Sequence, residues 1–321
     1  MRRLTLMLAL TAPAAMAQAP ELVVLTYDSF VAEWGPGPQI EAAFEAECAC
    51  DLRFVTGGDG AALLARLQLE GAGTDVDVVV GLDQNLIAAA RTTGLFAPHG
   101  VSADLTLPIA WDDADFLPFD WGWFAFVART GTAPAPDFRA LAASDTRIVI
   151  QDPRSSTPGL GLVMWVHAAY GDEAPAIWAD LADNIVTVTP GWSEAYGLFL
   201  AGEADAVLSY TTSPAYHLIA EGDAGFTAWP FTEGHYLQVE VAAVLAGSDQ
   251  PDLARAFMAF IPTEGFQAPI PTTNWMFPVI EMALPEGFMA MERPETLLMS
   301  ADQAAAVRDG AVEAWRAALA Q

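Results

Sequence analysis

Two hydroxyl-rich segments run into a proline: Ser155-Ser156-Thr157-Pro158-Gly159 and Tyr210-Thr211-Thr212-Ser213-Pro214. Hydroxyls cap the first N–H groups of a helix, and proline suits its first turn, where its missing N–H is no loss. A helix start of this kind turns free N–H groups and the positive end of the dipole outward, which suits a phosphate or a carboxylate. Plain helix capping would explain either segment alone; the repetition favours an anion cradle. The aromatic residues Tyr27, Trp34, Trp192, Tyr210, Tyr216 and Trp275 adjoin turns of Gly, Pro, Ser or Thr rather than forming helical stripes. Rings placed this way can stack on a flat ligand or attract a cation, for about 0.5–2 kcal/mol each; core packing is the competing reading for any one of them. Asp28, Asp59 and Asp83 each follow a predicted strand. Asp59 and Asp83 could simply cap the helices after them, or the three could answer a cationic or amino-substituted ligand. No nucleophile accompanies them, so no catalytic residue is assigned.

These residues must be held by an α/β framework. Leu22–Tyr27, Cys50–Val55 and Val76–Val80 read as strands, the last ended by Gly81. Gln39–Glu47 and the segment after Asp59 have helical spacing,. This alternation predicts a parallel sheet covered by helices, with ligands beyond the strands' carboxyl ends. Pro118–Val127 reads as a long aromatic strand leaving a first lobe. A second set follows: strands at Arg147–Gln151, Ile185–Val188 and Ala206–Leu208, with helices at Leu160–Tyr170 and from Ser193 to Ala201. Leu237–Leu245 would return the chain to the first lobe, completed by helices at Asp252–Ile261 and Ala301–Ala320. With ~300 residues past a leader, two lobes are expected: residues 18–118 with 238–321, and residues 119–237, joined at a hinge.

Arg2 and Arg3, the apolar run Leu4–Leu10 and the Ala15-Met16-Ala17 site describe a cleavable signal peptide over residues 1–17,. Export to a periplasm-like space is expected, with no lipid anchor. The chain holds 41 acids against 13 bases, a net charge of −28, and none of the bases is lysine. Such a field repels nucleic acid and anionic membranes and favours cations, although solubility in salt would select the same composition. Cys48 and Cys50 form a C-x-C pair that an oxidising compartment could close into a local disulfide,. His99, His167, His217 and His235 lack ligand spacing, so no metal site is expected,.

Several segments carry a specific resemblance: Tyr27-Asp28-Ser29-Phe30 with Trp34-Gly35-Pro36-Gly37-Pro38, Gln151-Asp152-Pro153-Arg154, Gly191-Trp192-Ser193-Glu194-Ala195-Tyr196-Gly197, Ser209–Tyr216, Glu233-Gly234-His235-Tyr236-Leu237-Gln238 and Asn274-Trp275-Met276. Across almost the whole mature length the chain resembles bacterial thiamine-binding periplasmic proteins, the substrate-binding components of ABC importers. The resemblance implies a type II periplasmic binding fold and a ligand of thiamine or its mono- or diphosphate. It implies no cofactor, an inner-membrane permease and ATPase as partners, and a monomer. The family's ligand contacts would fall on Asp59 and Gly60, on Ser156 and Thr157, on Trp192, and on Tyr210, Thr211, Thr212 and Ser213. Tyr27, Tyr216 and Trp275 would be further walls, and Cys48 and Cys50 fit the family. Gly57-Gly58 before Asp59 departs from the bulkier residues expected there.

Two alternatives share the expected fold. A thiaminase I-like enzyme would need a cleft cysteine as nucleophile, and the only cysteines lie between a helix and a strand. A ferric-ion binder would use clustered tyrosines, and Tyr210 and Tyr216 lack an adjacent tyrosine pair.

Overall fold

The computed structural model describes residues 19–289 and 293–320. The expected signal peptide lies outside the described residues. β1 (Glu21–Thr26), α1 (Gly37–Cys48), β2 (Asp51–Thr56), α2 (Gly60–Glu70), β3 (Val78–Asp83), α3 (Ile87–Thr92) and the short β4 (Phe96–Ala97) open the chain. β1 lies parallel to both β2 and β3, with Leu22 opposite Leu52 and Val24 opposite Val78. All of β3 is buried, as befits a strand covered on both faces. It runs through Gly81, where the sequence pattern suggested a stop: Gly81 adopts a φ of 114° at a bulge in the pairing with the later strand 235–245, so that Val80 faces Ala242 and Leu82 faces Val241,.

β5 (Phe116–Arg129) follows, then α4 (Phe138–Ala142), β6 (Ile148–Gln151), α5 (Thr157–Tyr170), α6 (Ala174–Leu181), β7 (Ile185–Thr189), α7 (Trp192–Leu200), β8 (Ala206–Tyr210), α8 (Ser213–Tyr216) and β9 (Phe226–Ala228). β10 (His235–Leu245), α9 (Pro251–Phe260), α10 (Glu264–Gln267), β11 (Phe277–Pro278), α11 (Glu286–Met289), β12 (Thr296–Leu297) and α12 (Ala301–Leu319) complete it. The main sheet order is β2-β1-β3-β10-β5-β8-β6-β7. β5 is shared between the two halves. Residues Phe116–Trp123 pair antiparallel with β10, and Phe124–Arg129 pair with β8 and β9. Thirteen of its fourteen residues are buried, which explains the aromatic run in its sequence.

Other elements also differ from the sequence expectation. Asp83 does not cap α3: it ends β3, and its carboxylate accepts from the Asn85 backbone N–H at 3.1 Å and side-chain amide at 2.9 Å, while α3 starts only at Ile87. α6 was not anticipated. α12, expected to complete the first lobe, packs chiefly against α5 and α6 and also touches α3. Its buried face is Ala304, Ala311, Trp315 and Ala318; periodicity identifies such a face without saying what covers it. Cys48 and Cys50 are joined as a disulfide across the left-handed Ala49.

α5 is buried along its first ten residues and lies so close to β5 that a Cβ on Gly161 would sit 2.1 Å from the Phe124 ring. Phe124 in turn stacks on Tyr210 at 5.2 Å. Gly161→Ala is therefore expected to destabilise the fold by about 1–3 kcal/mol, read as a lower Tm in thermal unfolding.

Candidate ligand-binding site

The ends of β1 and β8, the middle of β10, the starts of α2, α5 and α7 and the segment 272–276 enclose a cavity of ≈ 440 Å³, a size suited to a small organic molecule. Of the residues singled out in the sequence, Tyr27, Asp59, Thr157, Trp192, Tyr210, Ser213, Tyr216 and Trp275 line it. Gly60, Ser156, Thr211 and Thr212 do not. Gly60 acts by being small: a Cβ there would lie 2.3 Å from the Thr157 methyl, so its absence lets α2 abut α5. Thr211 and Thr212 are buried, with hydroxyls that find no protein partner among the described residues.

The walls are aromatic. Trp192 stacks on Tyr196 at 4.9 Å, faces Trp34 at 6.4 Å and donates its indole N–H to Ser209 Oγ at 2.8 Å. Across the cavity, Trp275 meets Tyr216 edge-on at 5.4 Å. Trp275 holds a left-handed φ of 58°, a conformation costing ~1 kcal/mol or more in a residue with a Cβ. The strain goes with presenting its ring at the cavity from the turn after Asn274. Trp34, at 52% exposure, is the most open of these rings.

Asp59 stands where three helix starts converge. Its Oδ1 accepts from the Gly60 N–H at 3.1 Å, capping α2 as the sequence suggested, and its Oδ2 accepts from Ser156 Oγ at 2.6 Å. The Trp192 N–H at the start of α7 also bonds it. A second link joins the same elements, from the Ala62 N–H to the Ser155 carbonyl at 3.0 Å. The Ser156 hydroxyl, expected to face a ligand, thus holds the two halves of the molecule together through Asp59.

The floor is acidic. Glu240 lines the cavity, with Asp120 beside it on the neighbouring strand and Asp83 buried at the end of β3. Glu240 Oε2 accepts from the Tyr27 hydroxyl at 3.0 Å, and Glu240 Oε1 from the Gln238 amide at 2.6 Å. Gln238 also accepts from the Tyr210 hydroxyl at 2.8 Å, and Asn274 donates to Asp120 at 2.6 Å. Among the described residues, no Arg, Lys or His lines this cavity. The sequence did carry a signal for Glu240 and Asp120 that went unread: each is the only carboxylate in a strand that is otherwise almost wholly apolar and buried.

Residues 38–270 match the family of bacterial extracellular solute-binding proteins. The chain belongs to that family. A thiamine-binding periplasmic protein of Escherichia coli (strain K12) is 50% identical over 324 residues, spanning 99% of this chain and 98% of the relative. One from Brucella melitensis is 48% identical, spanning 96% and 94%. A solved periplasmic thiamin binding protein superposes with a TM-score of 0.93 at 49% identity, covering 98% of this chain and 100% of that one. A ferric binding protein from Campylobacter jejuni matches with a TM-score of 0.76 at 18% identity, which extends to the fold alone.

For a solute-binding protein, the cavity is electrostatically one-sided. Burial pushes Asp59 up to about 6, although the bonds from Ser156, Gly60 and Trp192 pull it back. Burial takes Asp83 to about 7 and Asp120 to about 8, with Asn85 and Asn274 respectively opposing. The folded protein therefore binds protons that the unfolded chain, with ordinary aspartates, has released. Stability should fall as pH rises through this range. The Tm of the ligand-free protein is expected to be higher at pH 5 than at pH 8; a flat or opposite trend in calorimetric scans would contradict the assignment.

Proposed function

We propose that this solute-binding protein captures thiamine, free or as its mono- or diphosphate, and passes it to an inner-membrane ABC permease and its ATPase. The reading places the protein in the periplasm as a monomer, after removal of residues 1–17. The observation that carries it is a cavity with indole and phenol walls, buried carboxylates in the floor and no cationic side chain. Thiamine offers a quaternary thiazolium cation and a flat aminopyrimidine, which aromatic faces and acids answer directly. The relatives named for thiamine match nearly end to end at about half identity. Residues 18–118 with 238–321 and residues 119–237 would be the two lobes closing on the ligand, except that α12, within 301–319, packs chiefly on α5 and α6 of the second.

Phosphate esters would rely on backbone dipoles, since no arginine is present to meet them. Thr157, Ser193 and Ser213 line the cavity near the starts of α5, α7 and α8. Longer helices with free first-turn N–H groups favour an anion, but Asp59 already occupies the junction of α5 and α7.

Neither alternative gains support from the site. Cys48 and Cys50 are tied to each other at the end of α1 and do not line the cavity, so the nucleophile of a thiaminase-like reaction is missing there. Iron(III) would need tyrosinates. Burial and nearby acids instead push the Tyr27 and Tyr210 hydroxyls well above their ordinary range, and Tyr216 is raised by its bond to Glu221.

Calorimetric titration with thiamine and both phosphates tests the assignment. Trp192→Ala is expected to weaken thiamine binding at least tenfold, about 1.4 kcal/mol, with the Tm little changed. Ser156→Ala combined with Thr157→Ala should weaken the phosphate esters more than thiamine. Equal losses for all three ligands would remove the cradle from the account and leave Ser156 as a tie between the two halves.

A further inference from the structure

We propose that the Asp120–Glu240 pair is the seat of the ligand's positive charge, and that it releases one proton when the cation enters. The inference rests on the thiamine reading and adds the subsite and the proton. Asp120 and Glu240 are direct partners across the β5–β10 ladder. Asp120 is 0% and Glu240 5% exposed, yet Glu240 lines the cavity. The polar groups bonded to them are the neutral donors Tyr27, Gln238 and Asn274. Asp120 Oδ1 has no hydrogen-bond partner at all among the described residues, although it is fully buried. A buried carboxylate oxygen left without a donor, beside a second carboxylate that does line an open cavity, is a place for a positive charge that the protein itself does not supply.

Two carboxylates this close, in a medium of low polarity, do not both ionise, so the empty pair keeps a proton. Burial, followed by the repulsion of Asp120, raises Glu240 well above the carboxylate range, and burial raises Asp120 as well. A quaternary nitrogen carries its charge at every pH and has no proton to give. Its arrival stabilises the second carboxylate, and the carboxyl group gives its proton to the solvent: COOH becomes COO⁻ plus H⁺, with no bond to the ligand made or broken. Because the complex has lost a proton, binding strengthens as pH rises, up to about tenfold per pH unit for one proton.

The other titratable groups facing the pair are Tyr27 at the end of β1, Asp59 before α2, Asp83 on β3 and Tyr210 on β8. The tyrosines stay neutral throughout this range. Asp59, at about 6, is ionised at pH 7.5, and Asp83, at about 7, is partly so.

The test is calorimetry of the full-length mature protein with thiamine at pH 7.5, in buffers of different ionisation heat, which counts the protons released. Wild type should release close to one proton per thiamine. Glu240→Gln and Asp120→Asn should each abolish most of that release and weaken thiamine at least tenfold, while the uncharged aminopyrimidine half alone binds without proton release. Thiamine bound by the wild type with no proton released, or release that survives in both variants, overturns the inference. Loss of release in Asp59→Asn, with both pair variants unaffected, overturns it too by moving the site. No binding of thiamine by the wild type would bring down the functional reading itself, a result distinct from binding without release.

Discussion

The antiparallel run of β5 against β10 is the constraint on which the rest of the molecule depends. Leu237–Ala243 lie opposite Phe116–Trp123, and both halves of the sheet grow outward from this pair, β3 on one side and β8 on the other. Strands locked by a ladder of backbone hydrogen bonds fix the spacing of everything attached to them. The cavity lies against this pair because that is where strand ends from both halves meet. Its floor residues Asp120, Gln238 and Glu240 are supplied by the pair itself, and Gln238 reaches Tyr210 on β8 while Glu240 reaches Tyr27 after β1.

Burial of carboxylates without a cation is costly unless something else satisfies them. The chain has thirteen arginines, and among the described residues none lines the cavity. Those with assigned partners form exposed pairs such as Arg139 with Glu173 and Arg255 with Asp252, where an ion pair contributes little. Basic residues are thus kept from the one place where they would compete with a cationic ligand. The high overall acidity of the chain is a separate matter: it sets the long-range field, whereas selectivity is local to a few buried groups held by Asn, Gln and Tyr.

Much of this was legible in the sequence, for identifiable reasons. Asp59 before an apolar helical run announced its cap, and the hydroxyl–proline segments announced the starts of α5 and α8. The six aromatic residues next to turns all reach the cavity. Ser156 was misjudged because a sequence shows that a hydroxyl can donate, not which acceptor reaches it first; Asp59, 97 residues away, does. Asp83 looked like a cap because strand ends are indistinct where a glycine adopts a positive φ. α12 showed its buried face but not its partner. Glu240 and Asp120 were passed over because each sits alone in an apolar strand, and their significance comes from a pairing between segments 120 residues apart.

The most direct test is a crystal structure of the protein grown with saturating thiamine. The account predicts thiamine enclosed between Trp192, Tyr27 and the Tyr216–Trp275 edge, its thiazolium nitrogen closest to the Glu240 and Asp120 carboxylates. An empty cavity, or thiamine bound on another surface, would contradict it.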